Sequence, residues 1–439
     1  MMAGRRNYLE SILVALFTLL ACSFMRGENY SIKDVVVDIA FQQQALLERK
    51  KIKKKDYKQF VSDPQLDDKA FNVLYKLYKL PAKKQTVFAV HNSYSFRDSR
   101  MYRQVGEKYM PLSVCEKPEM KNRLTEITGC TPMLNAIEMT HALDEYWELF
   151  ENTGVPSGPD VNEKYYAYLL TNIKAAYELY GSIPVITYHM ANPYSPVPPQ
   201  RYGAYHEYKN KAHKNVVREM RARTGNNCGC RGEYITPRAY LDSKLDVFAS
   251  FLKELKDKNG HPIPCIIRPF HEMDMNSFWW GVDFCSAEDF IWLFRYTVET
   301  IQKKVGTHNL IWGYSLGNKF TTIETMMERY PGDEYVDILG GDEYNIGLSL
   351  PSTKDSYIRC RLITQEGLKR HKICGLFECG MTDEALRNTT FYSEQIPTLI
   401  NSDGIHFSFI LGYMAMPTNA EGEKNMRSFA RRRSMLKRW

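Results

Sequence analysis

A chain of 439 residues that is 44% apolar and 13% aromatic can build one large domain, or two smaller ones, around a sizeable core. Its formal charge of +7 is uneven, with basic runs at Arg49, Lys50, Lys51, Lys53, Lys54, Lys55 and Lys58 and at Arg431, Arg432, Arg433, Lys437 and Arg438. No zinc-finger, RRM or helix-turn-helix pattern accompanies them, so nucleic-acid binding is set aside and solvated helix faces or termini are expected.

At the start of the chain, Arg5 and Arg6 precede the apolar run Ile12–Leu20, which is too short to span a bilayer as a mature helix. A positive flank before a short apolar stretch is the layout of an export signal. The run closes in Leu19-Leu20-Ala21-Cys22, which resembles a bacterial lipobox. Residues 1–22 are therefore expected to be a lipoprotein-type signal with Cys22 lipidated, giving an exported protein that meets a membrane through a lipid anchor at most. Export permits disulfides, yet nine cysteines remain beyond Cys22, an odd number. Cys115 and Cys130 are the pair considered for a bridge, while Cys265 and Cys374 sit in apolar runs that favour buried thiols. Cys228-Gly229-Cys230 lacks paired CxxC spacing and no second His/Cys cluster supports it, so no metal is expected.

Residues 23–80 read as a charged helical extension, and from 81 to 439 short apolar runs alternate with longer amphipathic stretches. The predicted strands are 86–90, 133–137, 183–188, 263–269, 310–314, 336–340, 373–377 and 407–413, with helices over 161–180, 241–256 and 287–305. Eight strands alternating with helices predict an α/β fold, a (β/α)8 TIM barrel with an N-terminal helical extension. A doubly wound open sheet is the competing fold, but no glycine-rich nucleotide fingerprint follows any strand.

In such a barrel, chemistry collects where strands end. Polar residues stand at those positions: His91 and Asn92, Glu138, His189, His271 and Glu272, Asp342 and Tyr344, and Glu378. His91 and Glu138 are read as rim hydrogen-bonders. The run Ile266-Ile267-Arg268-Pro269-Phe270-His271-Glu272 delivers a His-Glu pair into a loop bearing Phe278-Trp279-Trp280-Gly281. A carboxyl group beside indole rings loses solvation, and its proton affinity rises toward that of a general acid. Glu378 closes a strand three places further round. Two carboxyl groups about 5–5.5 Å apart are what retaining glycoside hydrolysis requires, one as acid/base and one as nucleophile. No organic cofactor or metal is needed.

The Arg268–Glu272 segment together with Phe278–Gly281 resembles the acid/base signature of glycoside hydrolase family 26, the β-mannanase family. Ile186-Thr187-Tyr188-His189-Met190-Ala191-Asn192-Pro193, the stretch from Tyr330 to Asp342 and Tyr344, and Phe377-Glu378-Cys379-Gly380 resemble its third-strand, sixth-strand and nucleophile blocks. The resemblance runs from about residue 84 to about 419. It implies Glu272 as acid/base and Glu378 as nucleophile in a retaining double displacement, with His189, Arg268 and His271 around the −1 subsite. Tyr344 would hydrogen-bond the nucleophile and Asp342 would hold its neighbours, while Phe278, Trp279 and Trp280 are expected to contact substrate. The implied substrate is a polysaccharide, β-mannan by default, cut in endo fashion. Departures stand at Ser277, where the family has Trp, at Met275, where it has Gly, and after the eighth strand. There Met416-Pro417-Thr418-Asn419 puts Pro417 where a −1 subsite ring is expected. These changes keep open a β-1,3/1,4-glucanase, a β-1,3-xylanase, an exo-mannobiohydrolase, or a surface protein that binds glycan without cutting it.

Overall fold

A computed structural model describes residues 32–96, 102–105, 108–111, 120–140, 161–194, 215–225, 235–347 and 356–436. The proposed signal with Cys22, the Cys115 half of the considered bridge, and Cys228 and Cys230 lie outside the described residues.

All eight predicted strands form: β1 (Val87–Val90), β2 (Leu134–Glu138), β3 (Ile183–Tyr188), β4 (Cys265–Pro269), β5 (Leu310–Leu316), β6 (Ile338–Tyr344), β7 (Ile373–Gly380) and β8 (Phe409–Gly412). They pair in parallel in the order β1-β8-β7-β6-β5-β4-β3-β2. The remaining seam, between β1 and β2, is bridged where the Asn92 amide donates to the Ala136 carbonyl at 2.9 Å. Around the barrel, α1 (Ile32–Lys51) and α2 (Asp68–Lys79) precede β1. Later come α3 (Val161–Tyr180), α4 (Pro237–Glu254), α5 (Ala287–Val305), α6 (Ser356–Lys369) and α7 (Ala420–Ala430). Helix α4 begins a turn before its predicted start because Thr236 accepts from the Ala239 amide and Pro237 is pre-set for the first helical position.

Side chains alternate along the strands with period two. Val87, Ala89, Leu134, Ala136, Ile183, Val185, Ile266, Ile311, Ile338, Phe377, Phe409 and Leu411 form one buried cluster inside the barrel. The intervening Phe88, Val90, Ile137, Ile186, Ile267, Trp312, Leu339, Leu376 and Ile410 pack outward against the helices. Phe377 fits only because its neighbours lack side chains. A Cβ at Gly313 would lie 2.6 Å from its Cζ, and one at Gly340 2.5 Å from its Cδ2.

The extension is built into this core. Tyr57, Leu66, Ala70, Leu74, Leu77 and Tyr78 join the barrel-interior cluster and close the end at which the strands begin. Asp337, buried just before β6, accepts from the Ser62 amide at 2.7 Å, the Ser62 hydroxyl at 2.8 Å and the Trp312 amide at 2.9 Å. Arg49 corrects the expectation for its basic run, because it is 1% exposed and not solvated. Its guanidinium donates to the carbonyls of Gly367 (3.1 Å) and Lys372 (2.7 Å) and stacks on Tyr78 at 4.3 Å. An arginine that reaches two carbonyls and a ring face is held by geometry that sequence spacing does not reveal. Substituting Asp337→Asn is expected to turn one acceptor oxygen into a donor facing a donor and to lower unfolding stability by about 2 kcal/mol. A denaturant titration followed by tryptophan fluorescence checks this, and an unchanged midpoint would show that the floor contact contributes nothing.

Candidate active site

At the opposite end of the barrel, the mouth depends on an extra residue in β7. Gly341 of β6 pairs with Leu376, but the next residue, Asp342, pairs with Glu378. On the other side, Ile410 of β8 pairs with Leu376 and Gly412 with Cys379, so β7 carries one residue more than both neighbours. Strict alternation would point Phe377 inward and Glu378 outward. The bulge re-aims the strand, and Phe377 fills the barrel below while Glu378 enters the mouth above it.

Glu378 then meets a fixed set of partners. Arg268, fully buried at the end of β4, donates to Glu378 Oε1 at 2.7 Å and with its second amino group to Asp342 Oδ2. Tyr344 donates its hydroxyl to Glu378 Oε2. Ser315 donates to Asp342 Oδ1 at 3.3 Å, and its carbonyl accepts the Glu272 amide at 2.9 Å, so β5 holds both sides of the site. His91 Nε2 lies 2.7 Å from the carbonyl of Phe377, next to the nucleophile candidate. Glu272 itself follows β4 on a strained turn, with φ of 54° there and 46° at Phe270. Left-handed backbone at two such residues persists only where the surroundings enforce it, and it is common in sites built for a task.

The surroundings push the two glutamates in opposite directions. Burial, followed by the negative charge of Glu378, pushes Glu272 up to about 7. Burial would raise Glu378 too, but Arg268, His91 and the Tyr344 hydrogen bond outweigh it and leave that carboxyl below its ordinary value. Tyr344 is raised by burial and by Glu378, so it stays a neutral donor. His271 is driven well down by burial and by Arg268, which keeps its ring uncharged beside the carboxylates.

A second pair flanks the first. His189 Nδ1 sits 2.7 Å from Glu138 Oε2. Burial opposes both charges, yet their attraction brings Glu138 to about 2 and lifts His189 above its usual value. The His189 ring meets that of His271 edge-on at 4.4 Å. Glu138 and His91 are thus rim hydrogen-bonders as read from the sequence, but they grip His189 and the Phe377–Glu378 turn.

His271, Asp342 and Glu378 bring donor atoms within 4.8 Å of one another, a spacing a cation could bridge. The Arg268 guanidinium already supplies the positive charge between the two carboxylates, so this donor set does not suit a further cation.

The readings of four residues are corrected. Phe278, Trp279 and Trp280 are 2%, 1% and 0% exposed and cannot offer faces to a substrate. Their indoles donate inward, Trp279 to the Met190 carbonyl and Trp280 to the His271 carbonyl, both at 2.8 Å. Phe278 stacks on Trp280 at 4.6 Å and backs His189 and His271 at 5.2 and 5.1 Å, so the trio is the wall behind the histidines. Indoles are large enough to satisfy both an apolar core and one buried donor bond, which the aromatic count alone cannot distinguish from a sugar platform. Pro417 likewise is buried, and a Cβ at Gly422 would lie 2.7 Å from it. The exposed aromatic at the end of β8 is Tyr413, 41% accessible, whose ring stands edge-on to His91 at 5.6 Å and Tyr344 at 6.4 Å. Sequence reasoning also passed over Ser315 and Asp274. Asp274 accepts the Gly317 amide at 2.5 Å and the Lys319 amide at 2.8 Å, and so ties the loop after Glu272 to the end of β5. Ser315 was within reach, since it continues the inward parity of Ile311 and Gly313.

Residues 160–363 match the family described as glycosyl hydrolase family 26, a span that holds every residue of this cluster except His91, Glu138, Glu378 and Tyr413. That match covers less than half of the chain. Among curated proteins, the chain is 31% identical over 167 residues to the mannan endo-1,4-β-mannosidase of Bifidobacterium adolescentis, covering 35% of this chain and 17% of that protein. The Bacillus subtilis enzyme of the same name is 28% identical over 177 residues, 37% of this chain and 41% of its own. The chain therefore aligns with less than half the length of each. In fold, family 26 member GH26C from a Muricauda species superposes with a TM-score of 0.68 at 20% identity, covering 88% of this chain and 96% of that one. The Bacteroides ovatus family 26 β-mannanase BoMan26A gives 0.64 at 21%, covering 84% and 94%.

Because the charge on Glu378 is one cause of the raised Glu272 value, Glu378→Gln is expected to let Glu272 ionise at lower pH, back toward the ordinary carboxyl range. Carbon-detected titration of labelled glutamate carboxyls reads this directly. A Glu272 midpoint still near 7 in that variant would mean burial alone sets it.

Proposed function

We propose that this chain is a member of family 26 and a retaining, endo-acting β-glycoside hydrolase whose substrate is β-1,4-mannan. The observation that carries the reading is the geometry of the barrel mouth, where Arg268 and Tyr344 hold the Glu378 carboxylate and the buried Glu272 is pushed up to about 7. Glu272 donates its proton to the glycosidic oxygen as a carboxylate oxygen of Glu378 attacks the anomeric carbon and the glycosidic C–O bond breaks. Glu272, now a carboxylate, takes a proton from water, whose oxygen attacks the same carbon and frees Glu378. Arg268 and Tyr344 keep Glu378 oriented through the first step. Neutral His271, with His189 locked by Glu138, serves as a donor or acceptor to sugar hydroxyls without competing for the proton. Mannan is favoured by the names of the curated relatives. Export with lipidation at Cys22 is proposed from the Leu19–Cys22 sequence. Among the described residues no helix is long and apolar enough to cross a membrane.

Glu378→Ala is expected to lower turnover roughly 10⁴-fold or more while leaving the fold intact; near-normal hydrolysis would refute the assignment. Glu272→Ala should keep activity on aryl glycosides with good leaving groups, since these need no proton, and failure of that rescue contradicts the acid role. The wild-type rate should fall as pH rises through about 7, because the acid must carry its proton before the bond breaks. Reducing-sugar release from mannan, mixed-linkage glucan and xylan tests the substrate, with mannan expected and release from another glycan alone counting against it.

A further inference from the structure

Between Glu48 and Lys84 the chain carries twelve basic and five acidic residues, a net charge of +7 that equals the excess of the entire protein. The rest of the sequence therefore sums to zero, and the surplus belongs to the segment that closes the barrel floor. The fold draws this charge together. Lys79 of α2 reaches the carbonyls of Arg49 and Lys50 at 2.7 Å and Ile52 at 2.9 Å, the turn that also bears Lys51 and Lys53. Helix α2 then leads through Lys83 and Lys84 into β1, where the Thr86 amide donates to the Ser434 carbonyl at 2.8 Å and so brings in Arg431 and Arg433.

These cations act on one another. Lys79 is depressed by burial and then by Lys83 and Arg49, and His406, brought to about 4, is depressed by burial and then by Arg49, with Lys84 adding to it. Lys51, Lys53, Lys55, Lys83, Arg431 and Arg433 are all exposed. Of the acids in the segment, Asp63 is held by His308 at 2.7 Å and Asp67 caps α2 by accepting the Ala70 amide, which leaves Glu48, Asp56 and Asp68 against the basic majority. Leu47, 53% exposed, stands on α1 one turn before Lys50 and Lys51, so an apolar side chain projects amid the lysines.

We propose that this basic floor is a docking surface for the anionic headgroups of a lipid bilayer, with the barrel mouth turned away from the membrane. The floor lies at the N-terminal ends of the strands, whereas Glu272 and Glu378 lie at the C-terminal ends, so a bilayer against it leaves the cleft open to polymer. Helix α1 crosses beneath this floor, with Gln42 against Gly404 ahead of β8 and Arg49 at the entry to β7. The proposed lipidation point, Cys22, therefore precedes an element already on this face. Clustered lysines and arginines beside a protruding leucine are the chemistry that binds acidic lipid surfaces, and the lipid proposed at Cys22 favours this over a nucleic acid.

The test is co-sedimentation of the full chain with vesicles of mixed phosphatidylglycerol and phosphatidylcholine, set against vesicles of phosphatidylcholine alone. Any contribution of the N-terminal apolar run is common to both. Partitioning onto the anionic vesicles is expected to be tenfold or more stronger at low salt and to fall to the neutral level at about 0.5 M salt, where exposed charges are screened. The triple variant Lys51→Glu, Lys53→Glu, Lys55→Glu and, separately, Arg431→Glu with Arg433→Glu should each remove most of that preference. Lys424→Glu, exposed on α7 near the opposite rim, should leave it unchanged. Equal partitioning onto both vesicles, or reversal variants that bind like the parent, overturns the proposal. Tighter binding to duplex DNA than to anionic vesicles overturns it in favour of a nucleic acid.

Discussion

One guanidinium organises the mouth of this barrel. Arg268 is fully buried and donates to two carboxylates at once, Asp342 from β6 and Glu378 from β7. A buried cation of this kind persists only with close anionic partners, and the anions persist only with it. That mutual dependence fixes the relative positions of β4, β6 and β7 and leaves Glu378 charged. Burial and then the same negative charge raise Glu272, against the opposing pull of Arg268 and His189, so the ion cluster bears on both carboxyl groups. The planar fork of arginine can serve two carboxylates in this way, whereas a lysine would offer a point charge to one.

Backbone features place the cluster. The extra residue in β7 turns Glu378 into the mouth while Phe377 stays in the interior, its ring face 5.3 Å below the Arg268 guanidinium. Gly313 and Gly340 make room for that ring. The left-handed conformations at Phe270 and Glu272 swing the acid candidate off β4, and the Ser315 carbonyl holds its amide. At the other end, Tyr57, Leu74 and Tyr78 cap the interior layers, so the extension counts as part of the barrel's core.

Much of this was legible in the sequence. Alternating apolar runs located all eight strands, because strand periodicity and burial are local properties of the chain. Glu272, Glu378, His271, Asp342 and Tyr344 stand out because each sits where a strand ends, and Arg268 through the family resemblance, and the fold brings them to one mouth. What the sequence hid depends on register and depth. Trp279 and Trp280 read as sugar-facing aromatics but fold into the core, since a linear pattern does not say which side of a loop faces in. By its spacing Pro417 stands in the place of a ring, yet the chain turns it inward and leaves Tyr413 exposed directly after β8. Arg49 lay hidden in a basic run whose other members are mostly solvated, and only the tertiary contact with Gly367 and Lys372 separates it from them.

The account stands on Glu378 being the ionised group that bonds to sugar carbon. Incubation with a 2-deoxy-2-fluoro mannoside bearing a good leaving group, followed by peptide mass spectrometry, measures this directly, because the fluorine slows hydrolysis of the intermediate more than its formation. A single covalent sugar on the peptide containing Glu378 is the expected result. A label on Glu272, or steady turnover of the fluoro sugar with inversion at the anomeric carbon and no labelled glutamate, would contradict it.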